Sequence, residues 1–114
     1  MPTTVAVAKL SEVPPGTAVG RVVDGRPLAV CNDGGRVFVL LDQCPHAGAA
    51  LSGGEVGGGL IECPWHGWRF RLADGQWADA PRGKVRVPCF PVTVVGDQIV
   101  VEIEDGPVTA PPGC

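Results

Sequence analysis

The sequence predicts an all-β protein, and three observations predict it. Apolar residues come in short runs rich in Val, Ile and Leu. Seventeen glycines and twelve prolines in 114 residues punctuate those runs. No window of eleven or more residues holds a 3.6-residue apolar period free of Gly and Pro. A chain of this length, 45% hydrophobic, can bury one core, so a single domain over residues 1–105 is expected, followed by a flexible tail at 106–114 that holds three prolines.

Strands are expected in order at Val5–Lys9, Ala18–Val23, Pro27–Cys31 and Arg36–Asp42, set apart by Pro14-Pro15-Gly16, Asp24-Gly25 and Asn32-Asp33-Gly34-Gly35. Further runs follow at Leu60–Cys63, Arg69–Leu72, Lys84–Val87, Phe90–Val95 and Gln98–Glu104. Asp74-Gly75 and Gly96-Asp97 read as hairpin turns. In the last run Ile99, Val101 and Ile103 alternate onto one face, the expected core face.

Nine Lys and Arg against twelve Asp and Glu give a formal net charge of −3. No basic patch offers to neutralise a row of phosphates, which argues against nucleic acid as a partner. The first ten residues carry one charge, Lys9, and no long apolar core of a signal peptide. No run approaches the roughly 20 apolar residues of a membrane helix. A cytoplasmic protein is expected, and in a reducing compartment five cysteines point to metal ligands or buried thiols before disulfides.

One stretch departs from the rest. Residues 43–59 hold six glycines and a single charged residue, Glu55, and no Lys or Arg occurs between Gln43 and Trp68. A segment so poor in charge and periodicity needs another source of order, which a bound metal supplies. At its edges stand Cys44-Pro45-His46 and Cys63-Pro64-Trp65-His66, separated by the sixteen residues 47–62. Both histidines of the chain belong to these motifs. Each motif offers one thiolate and one imidazole, and the proline after each cysteine fixes φ and stiffens the loop.

Two Cys and two His suit zinc, but common zinc patterns pair like ligands and these motifs pair unlike ones. They suit a [2Fe–2S] cluster in which two imidazoles replace two thiolates on one iron. That exchange leaves the oxidised centre neutral, so an electron enters more easily than into a four-thiolate cluster. Such centres lie at roughly −150 to +300 mV, against about −400 mV for the plant type.

The pattern Cys-x-His followed by Cys-x-x-His strongly resembles the Rieske family. The resemblance runs from about Val5 to Ile103 and includes Cys44-Pro45-His46-Ala47-Gly48, Leu51-Ser52-Gly53-Gly54 and Cys63-Pro64-Trp65-His66-Gly67. It implies an antiparallel β base domain with an inserted cluster-binding subdomain, here about residues 43–70, and one [2Fe–2S] cluster at the tips of two loops. Cys44 and Cys63 would bind the inner iron, and His46 and His66 the outer iron near solvent.

High-potential members of the family bridge the loops with an extra disulfide, where this chain has Ala49 and Trp65. They also place Ser and Tyr hydroxyls two and four residues after the second His, where this chain has Trp68 and Phe70. Lost hydrogen bonds to the sulfurs lower the potential. The profile resembles the soluble ferredoxins of ring-hydroxylating oxygenase systems. It implies a monomeric electron carrier rather than an enzyme, in transient contact with a flavin-dependent ferredoxin reductase and a terminal oxygenase. The alternatives are the small subunit of an assimilatory nitrite reductase, many of which resemble the fold without the ligands, and a zinc-stabilised interaction domain. Cys31 and Cys89 read as small core residues and Cys114 as an exposed thiol on the tail. Trp65 reads as part of a docking surface, Trp68 as packing for the loop, and Trp77 as cover for the base sheet.

Overall fold

The computed structural model describes residues 2–45, 48–79, 83 and 85–104. Strands β1 (Pro2–Lys9), β2 (Thr17–Val23), β3 (Arg26–Asp33) and β4 (Arg36–Leu41) come first. The short β5 (Val56–Gly57), β6 (Leu60–Glu62) and β7 (Arg69–Arg71) follow, then β8 (Cys89–Phe90), β9 (Val92–Val95) and β10 (Gln98–Glu104). All named pairings are antiparallel. They build three sheets, ordered β1-β10-β9, β2-β3-β4-β8 and β5-β6-β7. The all-β expectation holds.

The second sheet is the middle layer, and β3 shows why. Its residues Leu28 to Asn32 are all buried. Leu28 and Val30 join Val39, Phe90, Ile99, Val101 and Ile103 in one apolar cluster, against the β1-β10-β9 sheet. Ala29 and Cys31, on the opposite face, join Leu40, Leu51, Ile61, Phe70 and Leu72 in a second cluster, against the small sheet. A strand buried on both faces reads as an unbroken apolar run rather than an alternating one. The alternation expected for Ile99, Val101 and Ile103 is present, since β10 is covered on that face.

Differences from expectation have local causes. The expected strand Phe90–Val95 is two strands in two sheets, because Pro91 lacks the N–H that a continuous ladder requires. Residues 84–87 yield only the single bridge Gln76↔Arg86, with Lys84 outside the described residues. Two short 3-10 turns, Leu10–Glu12 and Leu51–Gly53, and the two-residue strand β5 are too brief to leave a periodic signal. Gly96-Asp97 does join β9 to β10 as a hairpin. The tail expected at 106–114, with Cys114, lies outside the described residues.

The middle sheet positions the two motifs. The chain leaves it after Leu41 and re-enters at Cys89, and the Leu41 N–H donates to the Pro88 carbonyl at 2.8 Å, so exit and return lie side by side. The excursion between them carries both Cys-Pro motifs and the small sheet. It is tied back to the base where the Gly59 N–H donates to Asp33 Oδ2 at 2.6 Å.

Candidate metal centre

Each motif sits in a loop closed by its own backbone, in the same way. In the first, the Cys44 N–H donates to the Ala49 carbonyl at 2.8 Å and the Gly48 N–H donates to the Cys44 carbonyl at 2.7 Å. In the second, the Cys63 N–H donates to the Trp68 carbonyl at 2.6 Å and the Gly67 N–H donates to the Cys63 carbonyl at 3.1 Å. The closing glycine, four residues after the cysteine, has φ +72° in both loops. A residue with a Cβ would pay roughly 1–2 kcal/mol in that left-handed conformation. The spacing Cys-x-x-x-Gly therefore encodes one loop shape twice.

Within that shared shape the thiols point inward. Cys44 and Cys63 are each 1% exposed and belong to the same apolar cluster, together with Ala49, Leu51 and Phe70. Both are thiols rather than halves of a disulfide. His66, three residues beyond Cys63, is exposed, as are Pro45, Pro64 and Trp65, the last at 67%. His46 lies outside the described residues. Among the described residues no three His, Cys, Asp or Glu side chains converge closely enough to hold a metal ion. The structure thus brings Cys44 and Cys63 into one buried cluster and leaves His66 at the surface of the second loop.

The donor chemistry fits a two-iron cluster with unlike ends. Two buried sulfurs would take one side and a solvent-facing imidazole the other, on a rim without charged side chains at Pro45, Pro64, Trp65 and Gly67. Ala49 is buried in the first loop and Trp65 exposed in the second, and neither side chain can form a cross-link.

Supports differ between the loops. The second rests on an aromatic stack: the rings of Trp68 and Trp77 lie 4.0 Å apart, 5° from parallel, and Phe70 sits 6.5 Å from Trp68. Trp68 thus packs its loop as expected. Trp77 stacks on Trp68 beside the bridge Phe70↔Trp77, and it packs against the apolar cluster that includes Ala29, Cys31 and Leu40 of the base sheet. Gly54 is a contact that sequence reasoning missed. A Cβ there would overlap the carbonyl of Glu62, the residue before Cys63. Its signal was the pair Gly53-Gly54, in which only the second is pressed against backbone.

Cys31 and Cys89 lie in the same buried cluster as Cys44 and Cys63, but outside the two loops. Cys31 is fully buried in β3, and burial, then the nearby Asp42 carboxylate, pushes its thiol up from 9.0 to about 12. Such a thiol is inert, as a core residue should be. Cys89 is buried in the core, as expected.

Comparison with known proteins agrees with this geometry. Residues 3–91 match the Rieske [2Fe–2S] domain. The ferredoxin component of biphenyl 2,3-dioxygenase from Rhodococcus jostii is 32% identical over 103 residues, 90% of this chain and 95% of that protein. A segment of the cholesterol 7-desaturase of Xenopus laevis is 45% identical over 80 residues, but there the chain spans only 17% of the relative's length. Among solved structures, the ferredoxin of carbazole 1,9a-dioxygenase from Nocardioides aromaticivorans superposes with a TM-score of 0.78 at 35% identity, covering 87% of this chain and 96% of that one. A protein described as an NADH-dependent nitrite reductase small subunit, from Mycobacterium tuberculosis, gives 0.82 at 30% identity, covering 93% and 99%. The paired loops, the buried thiols and the match over residues 3–91 lead to one conclusion: the chain belongs to the Rieske [2Fe–2S] domain family.

Proposed function

We propose that this chain is a Rieske ferredoxin of low potential, in which Cys44, His46, Cys63 and His66 ligate one [2Fe–2S] cluster. It would pass single electrons from a flavin-dependent reductase to a terminal non-haem iron oxygenase. The observation that carries the reading is the doubled loop, with a buried thiol at the start of each copy. When bound, the cluster accepts one electron and releases it again.

The chain's own residues have three tasks. Cys44 and Cys63, held inside the apolar cluster, would exclude water from the inner side of the site. Trp68 and Phe70 offer no hydroxyl to the sulfurs, and Phe70 is fully buried, which supports a low potential. His66 and Trp65 face outward, so they would frame the surface through which a partner receives the electron. An uncharged rim suits a small contact that releases quickly, often under about 1,200 Å².

Relatives of matching length support a carrier. The Rhodococcus protein is the ferredoxin component of a dioxygenase, and a solved complex pairs a reduced oxygenase with an oxidised ferredoxin in carbazole 1,9a-dioxygenase. The close superposition on the Mycobacterium protein favours a second reading, a subunit of a nitrite reductase. The test is a reconstituted chain of NADH, flavin reductase, this protein and a Rieske oxygenase. A carrier is reduced catalytically and supports turnover, and Trp65→Ala raises its apparent KM without changing the cluster spectrum. Stable co-purification with a large reductase subunit, and no transfer to the oxygenase, would favour the second reading.

A further inference from the structure

Three elements meet behind the first ligand loop. Asp42 Oδ1 accepts the Ser52 backbone N–H at 2.7 Å, and Asp42 Oδ2 accepts the Ser52 hydroxyl at 2.7 Å. Asp42 stands two residues before Cys44, and Ser52 lies in the 3-10 turn Leu51–Gly53 that follows the loop. One half-buried carboxylate therefore grips both ends of the segment that presents Cys44. From the third side β2 brings up Gly20, where a Cβ would lie 3.1 Å from both Asp42 Oδ2 and Ser52 Oγ. The missing side chain leaves room for the grip.

We propose that Asp42, acting through Ser52, is the positioning residue that fixes the first ligand loop against the base domain and so sets the reduction potential of the centre. The proposal rests on the assignment of Cys44, His46, Cys63 and His66 as ligands. The two backbone bonds inside the loop fix its shape but not its direction. Direction depends on where the ends are anchored, and both bonds at that anchor are charge-assisted, roughly twice as strong as neutral ones. The carboxylate also places a negative charge beside the loop, and like charge opposes the arrival of an electron. Losing the charge should ease reduction, whereas losing only the hydroxyl should alter the donor geometry.

The test uses holo-protein with measured iron and acid-labile sulfide, a potentiometric titration, and electron paramagnetic resonance of the reduced state. Asp42→Asn keeps the shape and removes the charge. It should favour reduction about tenfold in the one-electron equilibrium constant, about 59 mV. Ser52→Ala should give a smaller shift with a changed line shape, and Ser52→Thr, which retains the hydroxyl, should restore the wild-type values. Gly20→Ala touches no ligand yet should change the line shape in the same sense, and in apo-protein it should speed amide exchange at Ser52. Variants that melt earlier but keep the wild-type potential and line shape would overturn the proposal. Wild-type protein without iron or sulfide would overturn the ligand assignment, and this proposal with it.

Discussion

In the loop from Cys44 to Ala49 and the loop from Cys63 to Trp68, the same two backbone bonds close the same turn on a glycine at φ +72°. Their foundations are unlike. The first is anchored by a carboxylate, Asp42, through hydrogen bonds at 2.7 Å. The second is buttressed by the Trp68–Trp77 stack and by backbone contact between Gly54 and Glu62. Loop shape is a local property, set by the position of one glycine relative to one cysteine. Loop placement is a tertiary property, and two different chemistries achieve it here, one polar and directional, the other apolar and broad.

Five measurements break or sharpen that contrast. The largest effect is expected at the thiols. Cys44→Ser and Cys63→Ser should each abolish the cluster's visible absorption, while Cys31→Ala, on the same buried face, should retain it; loss in all three would erase the distinction between ligand and core thiol. Next in size is iron removal by a chelator. Because metal binding is coupled to local folding, amides in both loops should lose exchange protection while those of β1 and β10 keep it. Uniform loss would mean the base sheets depend on the metal as well.

The third is a neighbour comparison. Gly54→Ala forces a Cβ into the Glu62 carbonyl and should cost about 1–3 kcal/mol, read as a lowered melting temperature. Gly53→Ala meets only Pro64 Cγ at 3.7 Å, ordinary contact, and should change little. Fourth, Trp77→Leu removes a stacked partner worth about 0.5–1.5 kcal/mol beyond its area, and should broaden the spectroscopic signal through the second loop. The equivalent loss at the first loop should come from Ser52→Ala, not from any aromatic change.

The smallest effect is a pH dependence. The Cys31 thiol is raised to about 12 in the folded chain from 9.0, so the native state keeps its proton where the unfolded chain has lost it. Its contribution to stability is complete below pH 9 and is lost as pH rises toward 12. Alkaline melting of the wild type should therefore fall more steeply than that of Cys31→Ala, with equal slopes at neutral pH. Equal slopes up to pH 11 would place Cys31 in a more open setting than β3 provides.

Much of this was legible in the sequence. The strands β2, β3, β4 and β10 were marked by β-branched runs and by Gly-containing turns, signals that depend only on neighbours along the chain. The buried cysteines of the two loops were legible because Cys44 and Cys63 each open a Cys-Pro motif, and the exposed His66 stands three residues after the second. What escaped was tertiary. The division of 90–95 between two sheets follows from Pro91, whose effect is readable only once the sheets are known. Trp77 pairs with Trp68 through a bridge formed by a hairpin, which no periodicity announces. Asp42 looked like the end of a strand, and nothing in its neighbours tells that Ser52, ten residues on, will be its partner.

The central claim is that two sulfurs and two imidazoles hold one cluster asymmetrically. Iron and acid-labile sulfide analysis of anaerobically purified protein, joined to electron paramagnetic resonance after dithionite reduction, tests it most directly. The expected result is about two irons and two sulfides per chain with the low average g value of mixed Cys and His ligation. A colourless protein containing zinc and no labile sulfide would contradict it.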